Sequence, residues 1–149
     1  MGQFIHRFGK FIEADKVYLA WASNDIDTML AAIDIKSNPL DRHYLLLNIV
    51  NLSYSKREIE YYKEIAIKTA KLHISEIKPI LDYFNKCEHC IPSIPTFQQY
   101  ATILTEIGEY NNAINICKKA LELGLDDGTQ GNYDARIKRI EKKRDKAFK

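Results

Sequence analysis

The residues best suited to chemistry form one short cluster, Cys87-Glu88-His89-Cys90. Two cysteines two residues apart present thiolates at a spacing that zinc accepts, but a structural zinc site takes four ligands. The sequence has no second C-x2-C and no H-x3-H, and its third thiol, Cys117, falls on the apolar face of a helical pattern. The same pair can cycle between dithiol and disulfide. The βαβ pattern that surrounds such redox pairs is missing here. Cys87 and Cys90 are therefore expected to be ordinary loop thiols, with no metal and no cofactor.

His6, His43, His73 and His89 stand at no recurring catalytic spacing from an acidic residue. A lone histidine on an amphipathic helix reads as a surface or boundary residue. Gly128-Thr129-Gln130-Gly131 can present backbone N–H groups to an anion at the start of a helix. It lacks the glycine spacing and Lys-Ser/Thr pair of a phosphate-binding loop, so it reads as a turn with Thr129 as a helix cap. HExxH, GxSxG and GxGxxG are all absent. The expectation is a protein that is not an enzyme.

Charge is distributed unevenly. Residues 136–149 hold eight Lys/Arg against Glu141 and Asp145, a local charge of +6; the whole chain carries +2, so residues 1–135 carry −4. Arg136, Lys138, Arg139, Lys142 and Lys143 form the part of this stretch able to contact nucleic-acid phosphates. Tyr133 and Phe148 alone do not make a stacking platform for single strands. The alternative use of this stretch is a solvated helix face.

These groups sit on a chain of 149 residues, enough for one buried core, with 46% hydrophobic and 28% charged residues. Four prolines and six glycines leave room for long helices. No apolar run approaches the roughly 20 residues that span a bilayer. The N-terminal residues do not resemble a secretory signal, and three cysteines are an odd number. A cytoplasmic protein is expected.

The elements follow from periodicity. Phe4, Ile5, Phe8, Phe11 and Ile12 have near-helical spacing, interrupted by Gly9; this predicts a short helix docked on the core or lying at a membrane surface. Residues 15–35 predict one or two helices, with Asn24 or Asp25 as a cap. Asn38-Pro39-x-Asp41 is a helix start, with Asn38 at the N-cap and Pro39 at the first helical position. A helix over 57–73 buries Ile59, Tyr62, Ile65, Ala66, Thr69, Ala70 and His73; another runs over 79–86 from Pro79, and 87–95 reads as a loop.

Residues 94–127 hold the most specific pattern. Thr96-Phe97-Gln98-Gln99 has the form of a capping box. Phe97-x2-Tyr100-Ala101-x2-Leu104, the Gly108-Glu109-Tyr110 turn and Ala113-x3-Cys117-x2-Ala120 follow. This resembles a tetratricopeptide repeat (TPR), a helical hairpin of about 34 residues. It departs from the repeat at Phe97, Cys117 and Leu125, which stand where tryptophan, an aromatic residue and proline are usual. Asp41-Arg42-His43-Tyr44, Ile114-Asn115-Ile116-Cys117, Gly124-Leu125-Asp126-Asp127-Gly128-Thr129 and Gly131-Asn132-Tyr133 together resemble a group of short bacterial TPR-like proteins. In that group a repeat is followed by a Gly-Leu-Asp-Gly-Thr type loop and a basic last helix. The group has no settled biochemical activity, so the resemblance implies a fold and not a function.

The fold expected is all-α: a single TPR-like domain over 1–149, an α–α superhelix of antiparallel hairpins. It divides into N-terminal helices at 1–36, a degenerate hairpin at 37–86, the repeat at 94–127 and a basic capping helix at 129–149. Such stacked hairpins present a surface for a peptide or partner protein. By analogy with the repeat, Gln98, Thr102 and Thr105 would face that partner. An array of about two hairpins also exposes apolar ends that a second copy can cover, so a homo-oligomer is compatible with this reading.

Overall fold

The computed structural model describes residues 3–7, 9–88 and 91–148, with only the backbone described for residues 87 and 88. The Cys87–Cys90 zinc and redox readings therefore fall outside the described side chains, as do Phe8 and Lys149. The molecule is mostly helical, with eight α-helices and one two-stranded sheet among the described residues. No helix among them is long and apolar enough to cross a membrane. The chain divides into two compact units, Met1–Pro92 and Ser93–Lys149.

The first unit opens with a correction. The segment expected as a docking helix is an antiparallel hairpin, β1 (Phe4–Arg7) and β2 (Lys10–Glu13), with Ile5 opposite Ile12 and Arg7 opposite Lys10. Gly9, at the turn between the strands, has φ +75°, a conformation that resists a side chain. The apolar residues that suggested a helical period lie as adjacent pairs, Phe4-Ile5 and Phe11-Ile12, one in each strand. Ile5 is buried, while Phe4 and Phe11 are 65% and 73% exposed. Aromatic content and a glycine at the midpoint favour the hairpin over a short glycine-broken helix.

Five helices follow. Asp15 caps α1 (Lys16–Ser23) by accepting the Tyr18 amide at 2.8 Å. Asp25 caps α2 (Ile26–Ala31) by accepting the Thr28 amide at 3.0 Å. The expected start of α3 (Pro39–Ser55) is present: Asn38 accepts the Asp41 amide at 3.0 Å and Pro39 is the first residue. This helix buries Leu40, His43, Leu45, Leu46, Leu47, Ile49 and Val50, so most of its circumference is core. α4 (Glu60–Ser75) buries Ala66, Thr69, Ala70, His73 and Ile74; Ile59, expected on the stripe, instead precedes the helix and is 55% exposed. α5 (Ile77–Tyr83) starts two residues before Pro79, which fits within a first turn because those N–H groups have no helical partner. A single π-helical turn, Phe84–Glu88, extends it into the segment expected as a loop. Val17, Ala20, Met29, Ala32, Leu45 and Ile49 form a core joining α1, α2 and α3.

The second unit contains α6 (Thr96–Glu106), α7 (Tyr110–Glu122) and α8 (Asn132–Ala147). Ala101 and Ala113, the small residues expected where α6 and α7 approach, are both fully buried. α6 and α7 end in the same way. After α6, Gly108 N–H bonds the Thr105 carbonyl and Glu109 N–H the Leu104 carbonyl; after α7, Gly124 bonds Leu121 and Leu125 bonds Ala120. Both glycines have positive φ, which makes each a Schellman cap. Leu125 is buried beneath its cap and ends the helix without proline.

Two expected caps are corrected. α6 has Pro95 at its N-cap and no side-chain capping bond; Thr96 is the first residue of the helix, so the capping box does not form. Gly131, with φ +82°, precedes α8, and the Thr129 hydroxyl donates to Asp127 Oδ1 at 2.7 Å instead of capping.

Candidate functional site

The site is a cleft between α6 and α8 in the second unit, with a volume of about 210 Å³. Its walls are Thr102, Thr105 and Glu106 from α6 and Arg136, Arg139 and Lys143 from α8; Ala101 and Ile140 form the apolar floor. The residues follow from helical spacing. Positions 102, 105 and 106 share one side of α6 while Ala101 and Leu104 turn inward. Positions 136, 139, 140 and 143 make one stripe of α8, anchored by buried Ile140.

Two groups of residues singled out independently in the sequence meet in this cleft. Thr102 and Thr105 line it; Gln98 does not, although its carbonyl accepts the Thr102 hydroxyl at 2.8 Å. Arg136, Arg139 and Lys143 line it, while Lys138 and Lys142 lie elsewhere on the exposed surface of α8. The convergence was not visible in the sequence because it depends on how α8 is set against α6. Only the stripe at 136, 139, 140 and 143 signals it, since an apolar residue among cations at this spacing marks a boundary face.

The polar groups have defined tasks. The Thr105 hydroxyl donates to the Ala101 carbonyl at 2.8 Å, as Thr102 does to Gln98, so the hydroxyl protons are committed to the helix backbone. Arg136 Nε donates to Asp127 Oδ2 at 2.9 Å, and Asp127 also accepts the Thr129 amide and hydroxyl. Burial alone would raise the Asp127 carboxyl; the bonds from Thr129 and Arg136 overcome it and hold the group below the usual carboxylate range. Arg136 thus has a structural partner in the loop before α8, whereas Arg139 and Lys143 are exposed on the rim.

The other groups considered for chemistry are placed as follows. Cys117 is fully buried, and desolvation pushes its thiol up to about 11, far from a reactive thiolate. His73 is buried on the stripe expected of its helix, whereas His43, expected at the surface or a boundary, is also fully buried, a correction caused by the packing of α3 on α4; the two rings are hydrogen-bonded to each other. His6 stacks edge-on against Phe11 of the hairpin. Among the described residues no cluster of three His, Cys, Asp or Glu is placed to hold a metal ion. No family model matches the sequence, and no match was found among curated proteins or solved structures.

Proposed function

We propose that the protein is a non-catalytic interaction module that holds a peptide or partner-protein segment in the α6–α8 cleft. The observation that carries this reading is the composition of the cleft. Thr102, Thr105 and Glu106 on α6 and exposed cations on α8 line a cleft with an apolar floor, in a space smaller than the roughly 300–1,000 Å³ typical of small-molecule pockets. Such a groove suits one or two side chains of a longer ligand rather than an enclosed metabolite. The α6–α7 hairpin, with small residues at its closest approach and a Schellman-capped turn, supports the TPR-like assignment, in which surfaces of this kind take extended segments. Arg139 and Lys143 favour a segment bearing carboxylates. A cytoplasmic setting, with reduced cysteines, belongs to the same reading.

The second reading is nucleic-acid binding through α8. Exposed Lys138, Arg139, Lys142 and Lys143 favour it; the commitment of Arg136 to Asp127 removes one expected contact. Paired charge reversals separate the two. Capture from the host proteome with the tagged full chain is repeated with Arg139→Glu/Lys143→Glu and with Lys138→Glu/Lys142→Glu. The interaction module loses its partner in the first variant and keeps it in the second, at low and high salt. Nucleic-acid binding weakens in both and fades steeply with salt. Retention of a protein partner by the cleft variant would remove the cleft from the function.

A further inference from the structure

The least expected feature of the first unit is the pair of imidazoles in its interior. His43 on α3 and His73 on α4 are both fully buried, and His43 Nδ1 lies 2.9 Å from His73 Nε2. Two bare nitrogens would repel at this distance, and so would two N–H groups. The contact requires one donor and one acceptor, hence a single proton between the rings. Phe84 stacks edge-on over His43 with centroids 5.5 Å apart, and Tyr44 flanks it at 4.9 Å. His43 Nε2 is buried with no hydrogen-bond partner.

We propose that the His43–His73 pair is an acid-sensitive latch: it holds α3 against α4 only while both rings are neutral, so the folded state loses stability as the pH falls from about 7 toward about 5. In the neutral pair one proton lies between the two facing nitrogens. A further proton brings a full charge into an aromatic, desolvated site, with a buried and unpartnered nitrogen at His43 Nε2. When both rings are cationic each facing nitrogen carries a proton, and the 2.9 Å contact cannot persist.

The charges around the pair act in the same direction. From α3, Arg42 disfavours a cation on His73, and each protonated ring disfavours the other. From the end of α4, Glu76 is turned onto Arg42, with Oε1 and Oε2 accepting its guanidinium at 2.9 and 2.8 Å. Tyr44 from α3 and Phe84 from the π-helical turn present rings. Burial holds His43 down at about 4, and burial together with His43 and Arg42 holds His73 at about 3. Both lie below the ordinary histidine value of about 6.5, so the unfolded chain binds more protons than the folded one. Stability is therefore intact above about pH 6.5 and falls as pH drops toward the folded values.

Trp21 is the single tryptophan, and it reaches the pair through Tyr44, with ring centroids 5.2 Å apart. The test is urea unfolding of the full chain followed by Trp21 emission at pH 7 and pH 5. The unfolding constant is expected to rise by between about two and three orders of magnitude between them. In a His43→Phe/His73→Leu variant that dependence is expected to shrink to less than about tenfold, because the groups that titrate differently in the two states are gone. Should the variant not fold, the imidazole resonances of the unaltered protein decide: two are expected to stay unprotonated at pH 5. An unfolding constant that changes less than about threefold, a variant that keeps the full dependence, or imidazoles that all titrate near about 6.5 would each overturn the latch.

Discussion

Arg7 and Asp41, 34 positions apart, form a two-pronged ion pair: Nη2 meets Oδ1 at 2.8 Å and Nε meets Oδ2 at 3.2 Å. The Asp41 side chain is fully buried, and it also accepts Trp21 Nε1 at 3.0 Å and Asn38 Nδ2 at 2.6 Å. One carboxylate thereby ties the β-hairpin, α1 and the start of α3 together. Arg7→Ala leaves a buried carboxylate without its counter-charge, and such losses cost about 3–5 kcal/mol. Replacing both partners, with Arg7→Met and Asp41→Leu, is expected to recover part of that loss. Denaturant unfolding read by Trp21 measures both; an unchanged midpoint for Arg7→Ala would show that the hairpin contributes little to the fold.

Gly131 and Gly108 both have positive φ, +82° and +86°, but their surroundings differ. A Cβ at Gly108 meets nothing within 4 Å, whereas one at Gly131 lies 2.5 Å from Ala135 Cβ. Gly108→Ala is expected to cost about 1–2 kcal/mol, the left-handed backbone penalty alone. Gly131→Ala adds a contact that only backbone movement relieves and is expected to cost more. Thermal unfolding of the two variants checks the order. Equal losses would mean that the first turn of α8 yields without cost.

The parts of the fold that could be read from sequence are those written in local chemistry. Asn38-Pro39 marks the start of α3 because cap and proline act within one turn. Ala101, Gly108 and Ala113 mark the α6–α7 hairpin because close approach and positive φ tolerate few residues. The N-terminal hairpin could not be resolved this way. Its five apolar residues have near-helical spacing, and the choice of hairpin goes with Arg7 reaching Asp41, 34 positions away. Thr96-x2-Gln99 has the form of a capping box, but the helix begins a residue earlier in register, after Pro95. The cleft and the histidine pair depend on pairings across α6 and α8 and across α3 and α4, which no local pattern encodes.

Cys117 provides a chemical test of packing in the second unit. Its thiol is fully buried and pushed up to about 11, so little thiolate exists near pH 8, where reagents act on ordinary cysteines. In a Cys87→Ser/Cys90→Ser background, modification of the folded chain by an aromatic disulfide reagent is expected to be slow. It should reach one equivalent promptly in denaturant. Prompt reaction without denaturant would show that the face of α7 carrying Cys117 opens readily.

Tyr133 is the largest fully buried side chain of the second unit, and its hydroxyl has no hydrogen-bond partner among the described residues. Desolvation raises its pKa, with the nearby Asp127 carboxylate acting in the same direction, so the phenol stays protonated and carries a donor with no acceptor. The ring is fully buried; the hydroxyl adds a desolvation cost without a compensating bond among the described residues. Removing a satisfied buried hydroxyl costs about 1 kcal/mol, whereas removing an unsatisfied one recovers about that much or more. Tyr133→Phe is therefore expected to leave stability unchanged or raise it, while Tyr133→Ala, which also empties the ring's volume, is expected to cost about 3–5 kcal/mol. Equilibrium unfolding followed by circular dichroism measures both. A loss of about 1 kcal/mol in Tyr133→Phe would place an ordered water on the hydroxyl, bridging it to the polar loop that precedes α8.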